Sequence, residues 1–478
     1  MTDAPLFAPT EPVFPRRVSG RFRRLKWAVM IATLGVYYVT PWLRWDRGPD
    51  MPDQAVLVDL AGRRFHFFFV EIWPHEFYVV AGLLVMAGLG LFLFTSALGR
   101  VWCGYACPQT VWTDLFLAVE RWIEGDRNAR VRLWRAPWDA RKWRLRLAKW
   151  AVWTVIGLLT GGAWVFYFAD APTLLRDLLT GAAHPVAYAS VAVLTATTVV
   201  LGGFMREQVC IYMCPWPRIQ GAMMDERTLT VGYRDWRGEP RGKQRDPVAG
   251  DCIDCRACVN VCPMGIDIRE GQQLACITCA LCIDACDDVM ERIGRPRGLV
   301  DYLALEDRPP EGAAADWSPR PLREHVLRPR TVIYTALWSL IGVGIVAALA
   351  LRPEIGLSVA PVRNPVSVTL SDGAIRNAYD IRLRNKHGEA RAMRLAVEAD
   401  APLALALEGR MGNETVVPAD ATLHQRAYVT AASGSPAAAA ARTALRIRVT
   451  DPVSGESAAA STLFHGKEDA HVPTTDRP

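Results

Sequence analysis

Eight of the twelve cysteines fall between Cys252 and Cys286, in two runs of identical spacing. The first reads Cys252-Ile-Asp-Cys255-Arg-Ala-Cys258-Val-Asn-Val-Cys262-Pro263, and the second Cys276-Ile-Thr-Cys279-Ala-Leu-Cys282-Ile-Asp-Ala-Cys286-Asp287. Each is C-x2-C-x2-C-x3-C, the spacing that holds a [4Fe–4S] cube in bacterial two-cluster ferredoxins. Three cysteines of a run wrap one cube, and the fourth ligand comes from the other run. The spacing therefore predicts Cys252, Cys255, Cys258 and Cys286 on one cluster, and Cys276, Cys279, Cys282 and Cys262 on the other. Zinc also suits thiolate quartets, but its sites usually need two C-x2-C pairs set apart by a longer loop. Pro263 stops the helix after the first run, whereas Asp287 stands at the matching place in the second. Such a stretch marks an electron carrier.

The remaining chain has membrane and soluble parts. Of its 478 residues 51% are hydrophobic and 22% charged, too apolar for one soluble domain and too charged for a wholly embedded one. Apolar runs at about 25–43, 77–98, 148–169, 185–205 and 331–351 predict five transmembrane helices. The first has no small-residue cleavage site after it and reads as an uncleaved anchor. A basic N-terminal tail (1–24) and a basic loop (99–147) contrast with the loop 170–184, whose single cation is Arg176. By the positive-inside rule, residues 1–24, 99–147 and 206–330 face the cytoplasm, and five spans leave 352–478 outside. The basic loop is expected to set topology or grip anionic lipid, with no role for nucleic acid. His66, His75 and His184 lie near the outer face and read as interfacial or helix-end residues. No histidine lies within a span, so a bis-histidine haem has no support.

Between the first two spans, residues 56–70 suggest a small hairpin or surface flap. The stretch from Trp216 to Cys252 reads as a polar linker feeding the ferredoxin-like domain. From about 355 onward, short alternating runs at 366–370, 380–384, 394–398, 403–407, 426–430 and 445–450 predict an immunoglobulin-like β-sandwich without cysteines. The Ala/Ser/Gly/Pro tract at 431–441 reads as a flexible loop and 466–478 as a loose tail. The fold class is thus multi-domain: an α-helical membrane protein with an inserted 2[4Fe–4S] ferredoxin-like domain and a C-terminal β-sandwich.

The other four cysteines repeat one pattern, Cys103-Gly-Tyr-Ala-Cys107-Pro108 and Cys210-Ile-Tyr-Met-Cys214-Pro215, each just after an even-numbered span. This looks like a diverged internal duplication. Residues four apart share a helical face, so two pairs meeting across a pseudo-two-fold could form a four-thiolate site at the membrane surface. Soft thiolates favour Cu(I), zinc or an iron–sulfur cluster, and a reversible dithiol couple is equally open. Small buried residues in helix packing are the bland reading.

With these parts in place, the chain resembles the cytochrome c oxidase accessory protein family known as CcoG, FixG or RdxA. The resemblance rests on W-C-G-Y-A-C-P, C-I-Y-M-C-P-W, C-P-M-G-I-D-I-R and C-I-D-A-C-D and covers nearly the whole chain. It implies an inner-membrane protein of a Gram-negative bacterium that acts in assembly of cbb3-type cytochrome oxidase by reducing Cu(II) to Cu(I). The candidate catalytic residues are then Cys103, Cys107, Cys210 and Cys214, with copper at the C-x3-C-P pairs. Copper chaperones or oxidase assembly factors would be partners. No flavin or nicotinamide fingerprint is present, so the electron donor is a separate flavoprotein or a quinol. A homodimer is compatible. Two rival readings are a quinol-linked ferredoxin relay for another respiratory reductase and a non-enzymatic assembly scaffold.

Overall fold

Residues 12–48, 51–309 and 320–467 are described by the computed structural model and divide into two units. One takes the chain up to Leu43 and Gln54–Val346; the other takes Arg44–Asp53 and the chain from Ala347 onward. Most of the expected tails and part of the Pro/Ala-rich segment before the last span lie outside the described residues.

The first unit starts with α1 (Arg21–Val39), a sheet of β1 (Val56–Asp59), β2 (Arg64–Phe67) and β3 (Val70–Ile72), and α2 (Phe77–Leu98). Four helices follow, α3 (Val101–Tyr105), α4 (Pro108–Glu124), α5 (Arg127–Arg135) and α6 (Ala140–Thr160), the last prolonged by a 3-10 segment, Gly162–Tyr167. Then come α7 (Ala171–Thr180), α8 (Pro185–Thr198), which runs into a π-helix at Val199–Met205, a second π-helix at Val209–Met213, and α9 (Trp216–Met223). The ferredoxin-like part comprises β4 (Thr230–Tyr233), α10 (Asp235–Gly238), α11 (Ala257–Val261), α12 (Leu281–Arg292) and β5 (Val300–Leu303). It is followed by α13 (Leu322–Val326) and α14 (Pro329–Ala350).

Among the described residues, four helices are long and apolar enough to cross a membrane: Phe77–Leu98, Ala140–Tyr167, Pro185–Met205 and Pro329–Ala350. The sequence predicts a fifth at about 25–43; there α1 runs Arg21–Val39, with Arg21, Arg23, Arg24 and Lys26 in its first turns and an apolar remainder from Trp27 to Val39. Buried Arg23 meets Asp114 of α4 at 2.8 Å near one end of α1. Near the other end, Tyr37 Oη donates to Thr160 O at 2.5 Å, at the end of α6.

The helix expected at 148–169 begins eight residues earlier, because the Asp139 carboxylate caps it by accepting from Lys142 N at 2.7 Å. From its first turns Lys142, Arg146 and Lys149 point inward, whereas Arg141 and Arg144 are exposed. Glu124 pairs with Arg146 (3.0 Å) and Lys149 (2.9 Å), and Glu120 with Lys149 (3.4 Å), Arg206 (3.2 Å) and Arg130. Arg130, Arg146 and Lys149 thus form an internal network joining α4, α5 and α6, while Arg132, Arg135, Arg141 and Arg144 stay exposed. Breaking one partner of such a buried pair costs about 3–5 kcal/mol.

The stretch read as a linker also has structure, since β4 pairs antiparallel with β5 from Thr230↔Leu303 to Tyr233↔Val300. That pairing crosses the whole ferredoxin insert, so no local pattern signals it.

In the second unit, β6 (Ile355–Pro361), β7 (Val368–Thr369), β8 (Ile375–Asn385), β9 (Arg391–Ala399), β10 (Ala404–Leu407), β11 (Glu414–Val417), β12 (Ala421–Ala431), β13 (Arg442–Thr450) and β14 (Ser457–His465) form two antiparallel sheets. Their orders are β10-β12-β8-β6, with β7 beside β8, and β11-β9-β13-β14. Tyr379, Ile381 and Leu383 alternate inward from β8 onto Met393, Leu395, Ile447, Val449 and Phe464. The tract at 431–441 is not a free loop: it holds α15 (Pro436–Ala439), whose Ala437 and Ala438 belong to this core. Their small side chains fill the sandwich interior, and Ser435 Oγ accepts from Ala438 N at 3.3 Å.

Candidate iron–sulfur and thiolate centre

The two ferredoxin runs adopt the same backbone. Asp254 and Thr278, each just before the second cysteine of its run, have φ of 50° and 56°; Arg256 and Ala280, just after it, have 53° and 60°. None is glycine, and left-handed φ costs a residue with a Cβ roughly 1–2 kcal/mol. Strain repeated at matching positions persists where the surroundings over-determine it, as expected of a loop wrapped round a fixed body.

Cys258, Cys262, Cys276, Cys279 and Cys282 line one small apolar cavity. Cys286 faces Cys258 and Cys255, which raise its thiol pKa beyond the effect of burial. Burial pushes Cys258 and Cys276 up to about 11, and Cys262 and Cys286 up to about 12. Thiols so deeply withdrawn from water are poor anions by themselves, and a positively charged centre supplies what burial removes. The two cysteine runs, their apolar walls and the paired left-handed residues fit [4Fe–4S] clusters. Cys255 alone among these eight is exposed.

Asp284, between Cys282 and Cys286, does a second job. Its carboxylate accepts from Arg23 N at 2.7 Å and Phe22 N at 3.2 Å. It thereby caps α1, whose own N-cap residue, Gly20, has no side chain to offer. The ferredoxin-like part is tied to α1 through one of its own cluster runs.

The two C-x3-C-P motifs meet. Cys210 lies within electrostatic reach of Cys107, Cys103 and Cys214, and Cys103 within reach of Cys107 and Cys214. All four are partly buried. The internal duplication is visible in the backbone: Gly99 turns the chain at φ 60°, ψ −125° four residues before Cys103, and Arg206 does so at φ 45°, ψ −113° four residues before Cys210. Gln109 Nε2 holds the second turn by donating to Arg206 O at 3.1 Å and Leu201 O at 2.7 Å. The halves differ in helix type. Cys103 sits in α3, whereas Cys210 lies in a π-helix closed by Cys214 N donating to Val209 O at 2.8 Å. Cys107 lies beyond α3, in extended backbone at the N-cap of α4, so a shared α-helical face is not how either pair converges; π-turns recur at functional sites.

Cys103 and Cys210, together with Cys262 and Cys282, pack against the apolar cluster that contains Cys279. Gly104 lies against the backbone of Ile277 and Cys279. Two residues here escaped the sequence reading. Buried Arg100 lowers the pKa of both Cys103 and Cys210, against the larger effect of burial, and its guanidinium donates to Leu274 O. Gln220 Oε1 is 3.2 Å from Cys103 Sγ, while its Nε2 donates to Thr95 Oγ1 at 3.2 Å. Their only sequence signal is polarity beside a span, which topology explains equally well. Of the three outer histidines, His66 is buried in β2 and His184 accepts from Val186 N at the start of α8; the His75 side chain lies outside the described residues.

These features define a class: an iron–sulfur protein with membrane-spanning helices and an appended β-sandwich. Residues 205–304 match the model of the 4Fe-4S dicluster domain, 79–128 that of a 4Fe-4S binding domain, and 345–467 that of the Ig-like fold at the C-terminus of FixG. Protein RdxB of Cereibacter sphaeroides is 66% identical over 467 residues, 97% of this chain and 98% of the relative. Protein RdxA of the same organism is 64% identical over 97% of this chain and 99% of its own length. Nitrogen fixation protein FixG of Rhizobium meliloti is 56% identical over 82% of this chain and 80% of its own. The chain belongs to the FixG/RdxA family. A crystal structure of a FixG-related protein from Vibrio parahaemolyticus, 18% identical, covers 24% of this chain and 100% of its own, with a TM-score of 0.22.

Proposed function

We propose that the protein passes electrons from its ferredoxin-like domain to copper at Cys103, Cys107, Cys210 and Cys214, reducing Cu(II) to Cu(I) for assembly of a cbb3-type cytochrome oxidase. One observation carries this reading: the four thiols converge, and two of them pack, as Cys262 and Cys282 do, against the apolar cluster that contains Cys279. In the proposed ligand sets, Cys252, Cys255, Cys258 and Cys286 hold one [4Fe–4S] cluster, and Cys276, Cys279, Cys282 and Cys262 the other. Such clusters, when bound, store one electron each. Exposed Cys255 marks the side at which a separate reduced flavoprotein or quinol would deliver electrons. Each Cu(II) gains one electron, and the sulfur ligands favour the Cu(I) product. Arg100 holds positive charge beside the thiols and offsets their anionic form. With α1 counted as a fifth span, the positive-inside rule puts the clusters and N-terminus in the cytoplasm of a bacterial inner membrane and the sandwich in the periplasm under this reading.

The test uses anaerobically purified protein whose clusters are chemically reduced. On adding Cu(II), cluster absorbance should recover with a matching yield of Cu(I) in a specific chelator. Cys107→Ser with Cys214→Ser should abolish the reaction while leaving the clusters intact. Clusters that stay reduced in the presence of Cu(II) would sink the reading.

A cavity of about 350 Å³ favours a second reading. Tyr37, Trp112, Trp164 and Leu201 line it together with Ala106 and Pro108, the two neighbours of Cys107. An apolar pocket of that size between helices suits an isoprenoid quinol. Quinol-dependent reduction of the clusters, indifferent to copper, would move this relay to first place.

A further inference from the structure

The second unit contains a cluster of side chains that electron transfer does not use. Glu354 immediately precedes β6, His387 lies two residues past β8, and Glu456 immediately precedes β14. One ligand atom from each lies within 4.8 Å of the others. His387 Nδ1 is 2.9 Å from Glu354 Oε2, and His387 Nε2 is 4.0 Å from Glu456 Oε2.

The two gaps differ in kind. The first is a hydrogen bond in which Nδ1–H donates to the carboxylate, leaving Nε2 with a lone pair. The second is too long for a hydrogen bond. Yet Nε2 and Glu456 Oε2 are both shut off from solvent with no hydrogen-bond partner. A lone pair facing an anionic oxygen, both unsatisfied, is a costly arrangement. A metal ion between them relieves it: two bonds of about 2.0–2.1 Å reach across the 4.0 Å observed when nitrogen and oxygen stand trans, as tetragonal Cu(II) allows. A carboxylate on the far ring nitrogen is also what metal-bound histidines commonly carry.

The backbone holds this geometry. His387 N donates to Asn385 Oδ1 at 3.0 Å, and Asn385 Nδ2 donates to Glu389 O, Val417 O and Pro418 O. Asp420 N donates to His387 O at 3.0 Å, and Lys386 N to Glu354 O at 3.1 Å. The imidazole therefore comes from a loop fixed to both sheets.

We propose that this is a divalent-cation site with His387 Nε2 and Glu456 Oε2 as ligands, Glu354 as the positioning residue, and water on the open side. The nitrogen and oxygen donors select a borderline ion, with Cu(II) ahead of Zn(II). The inference does not rest on copper reduction and would survive its failure.

The test uses the full chain in detergent, anaerobic, with clusters oxidised, titrated separately with Cu(II) and Zn(II). The expected result is one Cu(II) per chain whose paramagnetic resonance shows coupling to a single imidazole nitrogen. Zn(II) should compete for it and raise the melting temperature of the sandwich. His387→Gln should remove the nitrogen coupling, and Glu354→Gln should weaken binding by about 10- to 100-fold. Glu456→Gln changes a partly exposed side chain, so it tests the ligand without threatening the fold. A nitrogen-coupled signal unchanged in His387→Gln and Glu456→Gln would overturn the proposal. So would a wild-type chain showing no such ion at millimolar metal, which would leave only an ion pair.

Discussion

Gly104 of the first C-x3-C-P motif touches the backbone of Cys279 in the second ferredoxin run. A Cβ built on Gly104 would stand 2.9 Å from Cys279 Cα and 2.6 Å from Ile277 O. The obstacle is main chain, which cannot rotate away, so the thiolate motif and the cluster loop are locked together by the absence of a side chain.

Gly104→Ala should therefore force the motif and the loop apart, at a cost of about 1–3 kcal/mol. We expect a lower melting temperature and partial loss of iron, with the remaining cluster transferring electrons to copper more slowly. Native iron content and an unchanged rate would show that the contact is unimportant.

The crossed ligand assignment is tested by paired substitutions. Cys262→Ser with Cys276→Ser removes two ligands of one proposed cluster, so iron should fall by about half, on the two-cluster rule. Cys262→Ser with Cys252→Ser damages both clusters, and nearly all iron should be lost. Iron analysis of the two double variants decides the assignment, since uncrossed ligation would reverse the order.

Asp284→Ala removes the carboxylate that caps α1 from within α12. Loss of a cap costs about 0.5–2 kcal/mol. Hydrogen exchange should quicken at the first amides of α1, whereas Asp288→Ala, at an exposed surface pair, should leave them unchanged.

Arg100 has a consequence for pH. Burial, then the neighbouring thiols, push Cys210 up to about 12, and Arg100 works against them. A raised thiol pKa means that the neutral form dominates at pH 7 in metal-free protein and that metal binding must expel a proton. Alkylation of Cys210, followed by mass spectrometry, should therefore rise about tenfold per pH unit between 7 and 10, because the thiolate is the nucleophile. Arg100→Gln removes the opposing charge and should slow it about 3- to 10-fold at any pH in that range. Equal rates in both proteins would show that the guanidinium does not act on the thiol.

Ligand spacing is a local property, and it was readable from the chain alone. Two runs of C-x2-C-x2-C-x3-C, two of C-x3-C-P, apolar stretches of membrane length and period-two alternation in β8, β12 and β13 each express a rule acting over a dozen residues or so. What lay beyond such rules was decided by tertiary structure. The pairing of β4 with β5 spans the entire ferredoxin insert, and the cap on α1 comes from a residue 261 positions away. Glu120 and Glu124 draw Arg130, Arg146 and Lys149 of a seemingly solvated basic stretch into a buried network. The alanines at 437 and 438 read as flexible from composition and become core because the two sheets leave a space of their size. Periodicity and spacing determine which elements form and which sulfurs can share a metal. The partners of Asp284, Arg100, Gly104 and His387 depend on which surfaces meet when those elements pack, and that information is not local to any of them.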